Sequence, residues 1–78
     1  MIEQILNTVF QEVFQNKNLQ IKREMNANDV DNWTSITHVE MLAKVESAFN
    51  IRFSLKEVRK FKNVGDMMDA IENHINKN

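Results

Sequence analysis

No cysteine and no proline occur in these 78 residues, and there is one glycine, Gly65. The absence of cysteine excludes disulfides, thiolate metal sites and cysteine nucleophiles. With so little turn chemistry, hairpins and sandwiches are poorly served, and an all-α protein is expected. No run approaches the roughly 20 apolar residues of a membrane-spanning helix, so no membrane span is expected. Met1–Phe10 does not read as a secretory signal: Glu3 and Gln4 replace a basic leading region, and the apolar residues are spaced rather than continuous. Neither sign of charge dominates, since ten basic and eleven acidic residues give a net charge of −1, which selects no partner by itself. A chain this short makes one domain, 1–78, that buries about 60% of its unfolded surface. A soluble, cytoplasmic monomer is the expectation.

Helical periodicity is present and strong. Ile2, Ile5, Leu6, Val9, Phe10, Val13 and Phe14 follow the i, i+3, i+4, i+7 pattern of an amphipathic helix, which Asn16-Lys17-Asn18 should end. Leu19 to Thr34 has no clear period. A loop this long in a small domain must be functional or pinned, and Leu19, Ile21, Met25, Val30 and Trp33 are the candidate pins, with a short helical turn near Asn28–Val30. From Ser35 to Asn50 the helical pattern returns through Ile36, Val39, Leu42, Ala43, Glu46 and Phe49. On that phase Met41 lies off the stripe, half-exposed at its rim. Ile51-Arg52-Phe53 reads as an extended crossing. Ser54-Leu55-Lys56-Glu57 is a capping box with Phe53 and Val58 as its hydrophobic staple, opening a short helix to about Lys60 with Leu55, Val58 and Phe61 facing in. Asn63 can cap a last helix whose inward stripe is Val64, Met67, Met68, Ile71 and Ile75. Three longer helices and one short one make a small bundle.

Catalysis is poorly supported. His38 and His74 fall on different helices without the acidic spacing of a metal site. His38 stands one turn after Ser35, but a nucleophile needs an orienting acid, an oxyanion hole and a sheltered pocket, which so small a chain hardly supplies. His38 reads instead as a solvated helix residue, and His74 as a cation near a helix C-terminus. Lys56, Arg59, Lys60 and Lys62 raise a helix-turn-helix reading; against it, the run is short and the chain slightly acidic, so no nucleic-acid partner is expected.

The stretch that carries chemistry is Asp31-Asn32-Trp33-Thr34-Ser35-Ile36-Thr37-His38-Val39-Glu40-Met41-Leu42. A hydroxyl, Ser35, sits where a helix begins, and peptide dipoles and unpaired N–H groups there favour a nearby anion. These residues resemble the Asp-Ser-Leu-x-x-Val-Glu signature of acyl carrier proteins, and Asn63-Val64-Gly65-Asp66 is similar to the opening of that family's last helix. The resemblance covers nearly the whole chain. It implies a small acyl-carrier-like bundle in which Ser35 carries 4′-phosphopantetheine. A phosphopantetheinyl transferase installs that arm from coenzyme A, with Mg²⁺ serving the transferase. Its thiol then shuttles an acyl thioester between acyl-loading and acyl-transfer enzymes of fatty-acid, polyketide or related synthesis, so the chain is a carrier and no enzyme. Partners would dock at Asp31, Thr34, Ile36, Glu40, Met41, Glu46 and Glu57. The family's aspartate before the serine is Thr34 here, and its leucine is Ile36. The cationic Lys56–Lys62 cluster also breaks an acidic surface common in the family, which suits a specialised carrier. The opposing reading is an unmodified helical adaptor, in which Ser35 is only a helix-capping serine.

Overall fold

The computed structural model describes residues 2–77. Met1 and Asn78, the ends of the expected 1–78 domain, lie outside the described residues. Among these residues the chain forms four α-helices: α1 (Ile2–Val13), α2 (Ser35–Phe49), α3 (Leu55–Lys60) and α4 (Val64–Asn76). A single 3₁₀ turn, Ala27–Asp29, interrupts the long first connection. The three long helices and one short one match the expected all-helical bundle.

The core forms where α1 packs against both α2 and α4. Leu6, Val9, Phe10 and Phe14 from α1 and its end meet Met41 and Val45 of α2 and Val64, Met67, Met68 and Ile71 of α4. At the end of α1 the left-handed residue is Gln15 (φ 52°), not an asparagine. Gln15 N–H bonds to Glu12 O and Asn16 N–H to Gln11 O, a Schellman closure that satisfies two terminal carbonyls. α2 ends the same way with a residue better suited to it: Asn50 is left-handed (φ 54°), and Ile51 N–H reaches Glu46 O at 3.0 Å.

The inward face of α2 differs from the one its strongest hydrophobes suggest. Ile36 is 74% exposed and Val39 66%, whereas Met41 is 0% exposed and Val45 also fully buried. The buried phase is His38, Met41, Leu42, Val45 and Phe49, with His38, Leu42 and Phe49 half-buried. That series follows helical spacing as well as the expected one, but it starts on a histidine, which carries no apolar signal. α1 presents a deep wall of Phe10 and Phe14, and filling it with Met41 and Val45 turns Ile36 and Val39 outward. Met41 is therefore a core residue and not a rim or docking contact. Leu55 likewise points out, at 67% exposure, and Ile5 and Ile75 are partly exposed.

The long loop is pinned, as its length requires. Leu19, Ile21 and Val30 are buried, and Met25 and Trp33 pack partly against the same core. Its backbone is tied to two helices: Ile21 N–H donates to Asn7 Oδ1 of α1, and Gln11 Nε2 donates to Leu19 O. At α4, Val64 N–H reaches Met25 O at 2.9 Å and Gly65 N–H reaches Arg23 O at 2.8 Å. Gly65 allows this approach because a Cβ there would lie 3.1 Å from Arg23 O and 3.2 Å from Arg23 Cβ. Arg23 then pairs with Asp69 at 3.0 Å on the surface. Gly65→Val is expected to lose about 1–3 kcal/mol through overpacking. At roughly 4–8 °C per kcal/mol, thermal unfolding would register it clearly; an unchanged midpoint would mean that the loop does not lie this close to α4.

Candidate functional site

The turn before α2 is built almost entirely from small polar groups. Asn32 is left-handed (φ 71°), which swings the chain into the helix. Thr34, in extended conformation, is the N-cap: its Oγ1 accepts from Thr37 N–H, while Thr34 N–H donates to Thr37 Oγ1 at 2.7 Å. Thr37 Oγ1 also donates to Asn32 O at 2.6 Å, locking the turn. This threonine pair supplies the reciprocal bonds of a capping box.

Ser35 is consequently the first residue inside the helix and not its cap. It is exposed, and among the described residues its hydroxyl makes no hydrogen bond. A groove of about 530 Å³ opens beside it, walled by Trp33, His38, Val39, Phe61 and Met67, with Lys62 and Asn63 at the α3–α4 side. The lining is mainly apolar. Ser35 thus offers a reactive atom held rigidly, near solvent, at the positive end of a 15-residue helix.

Trp33 is bound on both faces of its role. Its ring meets Phe10 edge-on at 5.3 Å and lies tilted over Phe14 at 5.3 Å, which makes it the loop anchor anticipated for it. Its indole Nε1–H donates to His38 Nδ1 at 3.0 Å. His38 is therefore not a solvated helix residue: it is half-buried, and burial holds it below its ordinary 6.5. Nothing in the spacing marks this pair except that His38 falls on the buried phase of α2.

The acids expected to face partners divide in two. Asp31 and Glu40 are exposed beside the Ser35 turn. Glu46 turns its carboxylate inward, accepting from Phe53 N–H at 2.8 Å and so pinning the α2–α3 crossing. Glu57 closes the Ser54 capping box, accepting from Ser54 N–H at 2.8 Å, and lies 2.8 Å from His74 Nε2. The Ser54 backbone N–H, then His74, holds the Glu57 carboxyl below its usual 4.5. Both depressed groups make stability fall with acid. A group that protonates more readily in the unfolded chain contributes stability above its unfolded value, lost as pH falls through the folded one. Acidification should therefore erode stability in two stages, through His38 below about 6.5 and through Glu57 below about 4.5. Glu57→Gln should remove the second stage in urea unfolding measured across pH.

No described helix is long and apolar enough to cross a membrane. Among the described residues no three histidine, cysteine or acidic side chains are grouped to hold a metal ion.

The described residues form a small bundle of three long helices and one short one, with an exposed serine opening the second helix. No family model matches the sequence, and no curated protein does. The structure superposes on the solution NMR structure of a holo acyl carrier protein from Geobacter metallireducens, with a TM-score of 0.90 and 33% sequence identity, over 96% of this chain and 86% of that one. The chain belongs to the acyl carrier protein family.

Proposed function

We propose that Ser35 is the attachment point of 4′-phosphopantetheine and that residues 1–78 form one acyl carrier domain, working in the cytoplasm. The observation that carries this is the division of labour at the α2 turn. Thr34 and Thr37 do all of the capping, so helix stability gives no reason for the hydroxyl of Ser35 to be there. The adaptor reading needs Ser35 as a cap, a task that Thr34 performs. The holo state of the similar carrier supports the same group here. The site fits it: an exposed hydroxyl at a helix N-terminus suits a phosphodiester, and the adjoining groove is open and mainly apolar. When bound, the arm supplies a terminal thiol that holds an acyl group as a thioester.

Thr34 stands where the family has an aspartate. It keeps the capping role of that position, since threonine and aspartate both cap well, and gives up only the charge. Docking then rests on the exposed residues around Ser35. Ile36 and Val39 offer an apolar patch, and Asp31 and Glu40 place acids beside it. Glu46 and Glu57 serve the fold, and Met41 serves the core. The partners this surface fits are a phosphopantetheinyl transferase and acyl-loading and acyl-transfer enzymes with a basic rim and an apolar socket. Catalysis belongs to those enzymes. Rim charges act mainly on association rate. Glu40→Lys should therefore slow loading by a transferase roughly three- to tenfold, more at low salt, while Lys44→Glu leaves it unchanged.

The experiment is intact mass after incubation with coenzyme A, Mg²⁺ and a permissive transferase. A gain of one phosphopantetheinyl group supports the carrier. No gain with several transferases favours the adaptor.

A further inference from the structure

His38 follows Ser35 by three residues on α2, which places the two side chains on one helix face, about 5–6 Å apart at Cβ. Both line the same groove. On one side the imidazole is already committed, because Trp33 Nε1–H donates to Nδ1 at 3.0 Å and the two rings stack at 6.1 Å. Indole has a donor and no acceptor, so this bond requires a lone pair on Nδ1. The ring proton of neutral His38 is then on Nε2, and Nε2 bonds to no other described group. Trp33 in turn is wedged between Phe10 and Phe14, so the imidazole is anchored to the core through the indole. The arrangement presents one N–H donor with a set tautomer, on a rigid support, one turn from the hydroxyl of Ser35.

We propose that His38 is a positioning residue for the prosthetic group: Trp33 holds it as the Nε2–H tautomer, and that N–H donates to a phosphate oxygen of the group on Ser35, steering the arm over the groove. The inference rests on the attachment of phosphopantetheine to Ser35. Few groups share the groove with His38: Trp33 and Thr34 come from the loop, Met67 from α4, and Lys62 from the α3–α4 segment is the one charged side chain lining it among the described residues, while the uncharged Phe10 and Phe14 pack against the indole. In the unmodified protein, burial opposes a positive His38. A phosphodiester one turn away acts in the opposite direction, because an anion favours imidazolium, whose formation protonates Nδ1 and gives up the Trp33 bond.

The test uses nitrogen-15 NMR of the histidine rings and phosphorus NMR of the arm, in apo and loaded protein between about pH 5 and 8. His74 of α4, which pairs with Glu57 of α3, is the internal control. Expected are the Nε2–H tautomer in the apo protein, an upward move of the His38 midpoint on loading, and no such move for His74. Trp33→Phe keeps an aromatic ring in place and should let the tautomers mix. His38→Gln, which retains an N–H donor, should leave the phosphorus resonance near wild type, whereas His38→Ala should shift it. Protein shown by mass to be loaded, yet with His38 and the phosphorus resonance unmoved in every variant, overturns this inference alone. Protein that cannot be loaded overturns the attachment at Ser35 and this inference with it.

Discussion

Ser35→Ala is expected to take up no phosphopantetheine at all while remaining as stable as the parent protein, to within about 0.5 kcal/mol. The two halves of that result come from different features. Loss of uptake is complete because the hydroxyl oxygen is the atom that would be esterified, and neither Thr34 nor Thr37 can replace it. Their hydroxyls are engaged with each other and with Asn32 O. Stability is spared because Ser35 is exposed and its hydroxyl bonds to no described group. Thr34→Ala should behave in the opposite way. It removes the cap and should cost about 1 kcal/mol, yet it leaves the acceptor hydroxyl in place. Intact mass and thermal unfolding on the two variants separate cap from attachment point. A stability loss in Ser35→Ala equal to that in Thr34→Ala would restore the adaptor reading.

The second large effect concerns the face of α2. Met41→Ala should lose about 2–5 kcal/mol, since a fully buried methionine leaves a cavity among Phe10, Val45 and their neighbours. In a domain this small that is a large share of total stability, and urea or thermal unfolding would show it directly. Ile36→Ala should change stability by less than about 0.5 kcal/mol, because a side chain 74% exposed loses little on truncation. Its cost should appear instead in loading by the transferase. Equal destabilisation by the two substitutions would mean that α2 is rotated from the orientation described.

Much of the fold was legible because the helix ends carry their own chemistry. Ser54 and Glu57 close the predicted capping box, Asn63 caps α4 through Asp66 N–H, and Asn50 ends α2 in the left-handed region. α1, with its uninterrupted apolar stripe, could be read from spacing alone. α2 could not, because two apolar series run along it. Ile36 and Val39 are the more hydrophobic start, but His38, Met41 and Val45 fit the wall that α1 presents, and only tertiary packing decides between them. The exposed apolar pair then becomes the surface beside Ser35. Glu46 and Glu57 show a related limit: their charge is visible in sequence, and so is the Glu57 bond to Ser54 N–H, but the engagement of Glu46 with Phe53 N–H and of Glu57 with His74 is not. The Trp33–His38 bond was hidden because it joins a loop residue to a helix residue five positions on, a pairing with no periodic signature.

The most direct measurement is the position of the modification itself. The three serines, Ser35, Ser47 and Ser54, fall in three different tryptic peptides, bounded by Arg23, Lys44, Arg52 and Lys56. Peptide mass spectrometry of protein treated with coenzyme A, Mg²⁺ and a transferase therefore assigns the group without ambiguity. The expected result is one phosphopantetheinyl group on the 24–44 peptide, with fragmentation placing it on Ser35 and not on Thr34 or Thr37. A group on either of the other peptides, or none on any of them, would contradict the assignment of Ser35 as the attachment site.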